Sequence, residues 1–237
     1  MEVLLSGAEL DELGEKMVRD YLNGQEVKSV DIEDFVSSYL GLTVRYEAIA
    51  ESDVGKIGFI SDGRTSIWVN REEGPVQEVF DADTIVIDRY LLNENEMSRK
   101  RFTIAHEAGH YLLRKFNPAG TSAEFCWEYD SERTYEAEDL SGRLNLLEWQ
   151  ANNLAAALLM PRFLLEKALK IWNDGRPILV YGTHVLPFDS RMKTRGMADR
   201  LGVSHTALMI QLRKYKLVEQ GDLVEFIHEH IRVGGVR

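Results

Sequence analysis

Two histidines four residues apart, with a glutamate directly after the first, are the residues of this chain best placed to do chemistry: His106-Glu107-Ala108-Gly109-His110. On a helix, that spacing sets the two imidazoles one above the other on one face, about 6 Å apart along the axis. Both can then grip a single tetrahedral metal ion. Glu107 is rotated from His106 by one residue's turn, about 100°. It can border the ion's open position without ligating it, which is where a general base for water must stand. Gly109 costs a helix roughly 1 kcal/mol relative to alanine. That cost is reasonable where a second segment must come close to the backbone.

A catalytic zinc site takes three protein ligands and leaves the fourth position to water. Of the downstream acids, those from Glu124 to Asp139 fall in a polar, weakly periodic stretch, whereas Glu148 opens the next well-defined helix, EWQANNLAAALLMP. Rigid placement favours Glu148. Asn152 follows one turn later on the same face, where its carbonyl can accept a hydrogen bond from the far nitrogen of a ligating histidine. Alanines 151, 155, 156 and 157 give this helix a slim side that suits a close approach to Gly109. Two neutral imidazoles and one carboxylate would leave a zinc site with net charge +1, still strongly Lewis acidic. Candidate donors to a tetrahedral oxyanion are Tyr111, His184, His205, His228 and His230, and nothing local selects among them.

The elements that must hold these residues are legible in outline. Apolar spacing predicts helices over 8–22 and 31–40, with Gly24 and Gly41 as stops. Strands are expected at 42–46, 55–60, 66–70 and 84–88, the middle two joined by a hairpin at Asp62-Gly63. The metal helix is expected over 99–115 with Ser98 as its cap, followed by a long loop over 120–145. The second metal helix runs over 147–160 and stops where Pro161 forbids continuation, and Pro161 opens a further helix to Trp172. The pattern GMADRLGVSHTALMIQLRKYKL then reads as two short helices about Gly202, with Ser204 capping the second. The fold class expected is α+β, with a short antiparallel sheet ahead of the metal-bearing helices.

Composition narrows the function classes. A formal charge of -11 repels nucleic acid in general. The charge is uneven: seven acids against Arg133 over 124–139, and seven bases against Asp199 over 191–216. Such asymmetry marks partner surfaces as well as solvated faces. One cysteine, Cys126, cannot form an internal disulfide. The acidic start MEVLLSGAELDELGEK lacks a secretion signal, and no apolar run approaches the roughly 20 residues that span a bilayer. A cytoplasmic protein that does not engage membranes is expected.

RFTIAHEAGHYLL, followed by ExxAN and AAALLMP over Glu148 to Pro161, resembles the ImmA/IrrE family of metallopeptidases. DIEDFVSSYLGLTVRY, GFI and IWVN precede the metal helix in the expected order, so the resemblance covers about residues 27–217. It implies one zinc ion per chain held by His106, His110 and Glu148, with Glu107 as general base. It also implies a thermolysin-like (gluzincin) minimal core, and a protein substrate that is a helix-turn-helix transcriptional repressor whose cleavage relieves repression. The 37 residues between the ligand helices, Tyr111 to Leu147, depart from the family pattern, and the acidic run in them looks like an insertion.

The organisation expected is a peptidase domain over 1–187, a helix-turn-helix-like module over 188–218 and a C-terminal tail over 219–237. Ala198, Gly202 and Leu208 fit the module, whereas Gln211 stands where an apolar residue belongs. A packing or partner-docking role for it is favoured over direct operator binding, because the whole chain is acidic. The competing function is a DNA-binding regulator using 195–217, with a merely structural metal site.

Overall fold

A computed structural model describes residues 4–52, 55–116, 125–126, 143–182 and 185–230. The chain is mixed α+β, with short sheets packed against a helical core. Helix α1, Gly7–Leu22, starts in a capping box: the Ser6 hydroxyl accepts from the Glu9 amide and the Glu9 carboxylate accepts from the Ser6 amide. Asn23, in the left-handed conformation, ends it. The next helix, α2, is a single turn, Ile32–Asp34, capped by Asp31 and continued by a π-helical turn, Phe35–Tyr39.

Strands β1 (Thr43–Glu47), β2 (Gly58–Ile60), β5 (Thr84–Asp88) and β6 (Phe125–Cys126) form a sheet in the order β1-β5-β2-β6. Here two expectations fail. The sheet is mixed, because β1 runs parallel to β5 while β2 is antiparallel to both β5 and β6. Asp62-Gly63 does not join a hairpin either, since β2 pairs with β5 and β6 and not with β3 (Ser66–Arg71). Asp62 instead accepts from the Arg64 and Thr65 amides in a local turn that carries the chain off the sheet. β3 then pairs with β4 (Gly74–Val79), a strand the sequence reading passed over. This hairpin buries Ile67 and Val69 with Phe59, Phe80 and Val86 in a second, smaller core. Ile85 and Ile87 on the other face of β5 join the main core, so the centre of this strand, Ile85–Ile87, is an unbroken apolar run because both of its faces are covered.

Two helices carry the site. Helix α3, Met97–Phe116, begins after two 3-10 turns (Arg89–Leu92 and Glu94–Glu96), so Ser98 lies inside its first turn and does not precede it. α4, Arg143–Leu159, starts ahead of the expected 147, so Glu148 lies inside the helix and does not open it. Of the stretch expected as a long loop, Phe125–Cys126 is a strand and the remainder up to residue 142 lies outside the described residues. Pro161 stands just ahead of α5, Arg162–Asn173.

α4 is squeezed between α1 and α3. A Cβ on Gly109 of α3 would stand 3.0 Å from the Ala151 carbonyl oxygen, and one on Gly14 of α1 only 2.6 Å from the Ala157 Cβ. The alanines of α4 therefore serve two neighbours and not one. β2 presses on α3 in the same manner, since a Cβ on Gly58 would meet Thr103 Cγ2 at 2.6 Å.

Beyond α5, strand β7 (Ile178–Tyr181) pairs in parallel with β8 (Val218–Gly221), bracketing α6 (Phe188–Leu201) and α7 (His205–Lys214). The stretch expected as a tail thus supplies β8 and a helix, α8 (Leu223–His230). Met197, Leu201, Leu208 and Leu212 belong to the same core as the metal helices.

Gly109→Val should destabilise the chain by about 2 kcal/mol or more, because an overpacked side chain would have to displace the α4 backbone. Urea denaturation of the metal-free protein reads this. An unchanged midpoint would mean that the two helices are free to separate.

Candidate metal centre

His106 and His110 reach the same point from adjacent turns of α3, and Glu148 reaches it from the first half of α4. The ring nitrogens His106 Nε2 and His110 Nε2 are 2.9 Å apart. The Glu148 carboxylate straddles them, with Oε2 3.1 Å from His106 Nε2 and Oε1 3.2 Å from His110 Nε2. Both imidazoles are almost completely buried, at 1% and 2% exposed, while Glu148 keeps 29% of its side chain open. The cluster is therefore a buried floor of nitrogen with a partly open carboxylate rim.

The ring of His106 is held from behind. Asn152, one turn after Glu148 on α4, places its Oδ1 2.8 Å from His106 Nδ1. With that oxygen accepting, Nδ1 carries the proton and Nε2 presents its lone pair to the cluster. Asn153, next in sequence, accepts at 2.9 Å from the Lys214 ammonium of α7, which also pairs with Asp11 of α1 at 2.6 Å. The Asn-Asn pair thus ties the histidine face of α4 to two outer helices.

Electrostatics favours the protonation states a cation needs. Burial, reinforced by the neighbouring His110, pushes the His106 pKa below its ordinary 6.5, against the pull of Glu148 and Asn152. Burial opposes ionisation of Glu148, but its position against the two imidazoles outweighs that and lowers its pKa to about 2. Neutral imidazole beside ionised carboxylate is the donor set of a divalent N,N,O site, and zinc accepts it. The residues present therefore fit a metal ion.

Glu107 stands on the same helix at 0% exposure. It lies one turn beyond Thr103, whose methyl abuts Gly58, so it belongs to the side of α3 that faces β2. The candidate oxyanion donors fare differently. Tyr111 is half-buried with the Lys115 ammonium 4.6 Å from its ring centre, and His205 Nε2 is 2.8 Å from the Thr194 hydroxyl, joining α7 to α6. His184 and the side chains of His228 and His230 lie outside the described residues.

Two residues near the site had no sequence signal. Phe102, one turn before His106, sets its ring 6.4 Å from the imidazole. Arg101 donates to the carbonyls of Val30, Leu201 and Gly202 at 2.8, 3.4 and 3.0 Å, fastening the α6–α7 turn to the metal helix. A lone arginine on a helix face looks like a solvated charge until the carbonyls it serves are known.

Asn152→Ala should weaken metal binding by about tenfold to a hundredfold with little change in fold, as read by competition against a chromogenic chelator. Acid should labilise the metal-free chain. The unfolded chain takes up protons at the ordinary values of 6.5 for His106 and 4.5 for Glu148, while the folded sites accept them only at lower pH. This stability is complete above 6.5 and declines as pH falls, with a second loss from 4.5 toward 2. A urea midpoint that rose on acidification from neutral pH would contradict both shifts.

The family described as IrrE N-terminal-like domain, a peptidase family, matches residues 88–212, just over half of the chain, from the first 3-10 turn through α7. No curated protein matches the chain. The matched stretch contains His106, His110 and Glu148 and both helices that bring them together, and the chain belongs to the IrrE N-terminal-like peptidase family.

Proposed function

We propose that this chain is a zinc-dependent endopeptidase that cuts a protein partner. The observation that carries this reading is the convergence of His106, His110 and Glu148 from two helices locked together at Gly109 and Ala151. These three residues would hold the ion, and Glu107 would act as base. When bound, zinc supplies Lewis acidity, making water more acidic and polarising a carbonyl.

The chain's own residues account for the remaining steps. Asn152 keeps His106 in the tautomer that presents Nε2. Glu107 takes the proton from the attacking water and passes it to the leaving amine, so that the amide nitrogen departs neutral. Burial of both imidazoles keeps bulk water from the histidine floor of the site.

The substrate class rests on the family resemblance: a helix-turn-helix transcriptional repressor whose cleavage relieves repression. The thermolysin-like core rests on it too. A cytoplasmic setting fits the single cysteine, and no described helix is long and apolar enough to cross a membrane.

The competing reading, a DNA reader built on 195–217, gains no support from α7. A recognition helix must offer side chains to base edges. Every residue from Val203 to Tyr215 is buried or half-buried, and Lys214 is already tied to Asp11.

Glu107→Gln should keep the metal and lower cleavage by about a hundredfold or more, whereas Glu148→Ala should lose both metal and cleavage. The assay is mass spectrometry of a helix-turn-helix repressor encoded beside the gene, incubated with zinc-loaded chain with and without chelator. Full activity in Glu107→Gln would end this mechanism.

A further inference from the structure

The excess of positive charge over 191–216 is not explained by the metal site, and the structure divides it. Lys214 pairs with Asp11 and Lys193 with Asp189. Arg191 and Arg195 remain exposed on α6, with no acidic partner among the described residues. The surface beside them is apolar. Phe188 is 80% exposed and Met192 48%. At four-residue spacing, Phe188, Met192 and Gly196 form one ridge along α6, about 12 Å long. The absent side chain of Gly196 is replaced by a ring from the neighbouring helix, since Trp172 of α5 lies 2.3 Å from where a Cβ would stand. Ile171, Trp172 and Val185 are exposed as well. Phe188, Met192 and Trp172 therefore make a continuous apolar stripe with two unengaged arginines along one flank.

We infer that this stripe is a docking ridge for an amphipathic helix of a protein partner, one that carries acidic residues beside its apolar face. In a chain of net charge -11, two uncompensated arginines beside exposed aromatic rings select for an acidic, apolar partner and not for a basic one. Exposed phenylalanine and tryptophan supply the anchors such a helix packs on. DNA does not fit, because the centre of the face is apolar. The ridge is also fixed to the metal helix: Arg101, five residues before His106, holds the carbonyls of Leu201 and Gly202 at the end of α6. A partner seated on α6 is thereby held by an element anchored to α3. As a role for substrate capture this rests on the peptidase reading, but the docking itself does not.

The test uses the full chain and two labelled helical peptides that share one apolar stripe, the first flanked by glutamates and the second by lysines. Fluorescence anisotropy reads binding without reference to cleavage. The glutamate peptide should bind about tenfold tighter than the lysine peptide. Phe188→Asp should lose about tenfold of that affinity, and the double variant Arg191→Glu, Arg195→Glu should reverse the preference. Circular dichroism and retained metal binding confirm that the variants fold. Equal binding of the two peptides, binding of neither, or indifference to Phe188→Asp overturns the proposal. Stronger Phe188-dependent binding to vesicles of phosphatidylserine and phosphatidylcholine than to the glutamate peptide also overturns it and assigns the ridge to lipid. An inactive chain that still discriminates the peptides removes the peptidase reading and leaves the ridge standing.

Discussion

Everything at the metal centre depends on how closely two helices can approach. Glu148 meets the imidazole pair where α4 lies almost against the backbone of α3, at the contact of Gly109 with Ala151. A Cβ at 109 would press on the Ala151 backbone, which would have to give by a few tenths of an ångström, and a larger side chain would ask for more. The helix tolerates the conformational cost of glycine there because the close contact is where the ligand set is made. The same approach is repeated on the other side of α4 at Gly14 and Ala157, so α4 is clamped from two directions.

Close packing fixes the positions of the ligands, and hydrogen bonding fixes their chemistry. A histidine can present either nitrogen, and the wrong tautomer of His106 would point a proton at the cluster. Asn152 decides the matter from behind the ring. Its neighbour Asn153 is held in turn by Lys214, which brings α1 and α7 to bear on the same short stretch of α4. Burial then keeps His106 neutral while the imidazoles keep Glu148 ionised. Each side chain sets a condition on the next, so the arrangement is preorganised before any substrate arrives.

Much of this was readable in the residues because the chemistry is local. The i, i+4 histidines, the glycine between them and an acid on the second helix all follow from helical periodicity, although α4 begins at Arg143, ahead of Glu148. The structure brings His106, His110, Glu148 and Asn152 into one cluster. What failed was non-local. Asp62-Gly63 has the residues of a hairpin turn, yet β2 finds its partners in β5 and β6, because Phe59 is needed in the small core beneath β3 and β4. The parallel pairing of β1 with β5 leaves no mark on either strand's own sequence. β7 and β8 are four residues each, separated by two helices, and only their mutual pairing identifies them. Arg101 was invisible for the same reason, since its partners are carbonyls about a hundred residues away along the chain.

The pair α6–α7 shows how one local pattern can serve different ends. Ala198 and Leu208 are buried, the turn between α6 and α7 takes a positive φ of 67° at Gly202, and Ser204 caps α7. The sequence pattern encodes that internal packing, and internal packing does not say which face is left to the outside. Here the main core takes up Leu208, Met209 and Leu212 of α7, while Gln211, at the position where an apolar residue was expected, is buried. The outward surface falls to α6. A DNA reader needs its second helix free, whereas a docking element needs only one exposed ridge and a rigid attachment. This pair has the ridge at Phe188 and Met192 and the attachment at Arg101. Its burial pattern therefore favours a role in holding protein against the metal helix over one in reading bases.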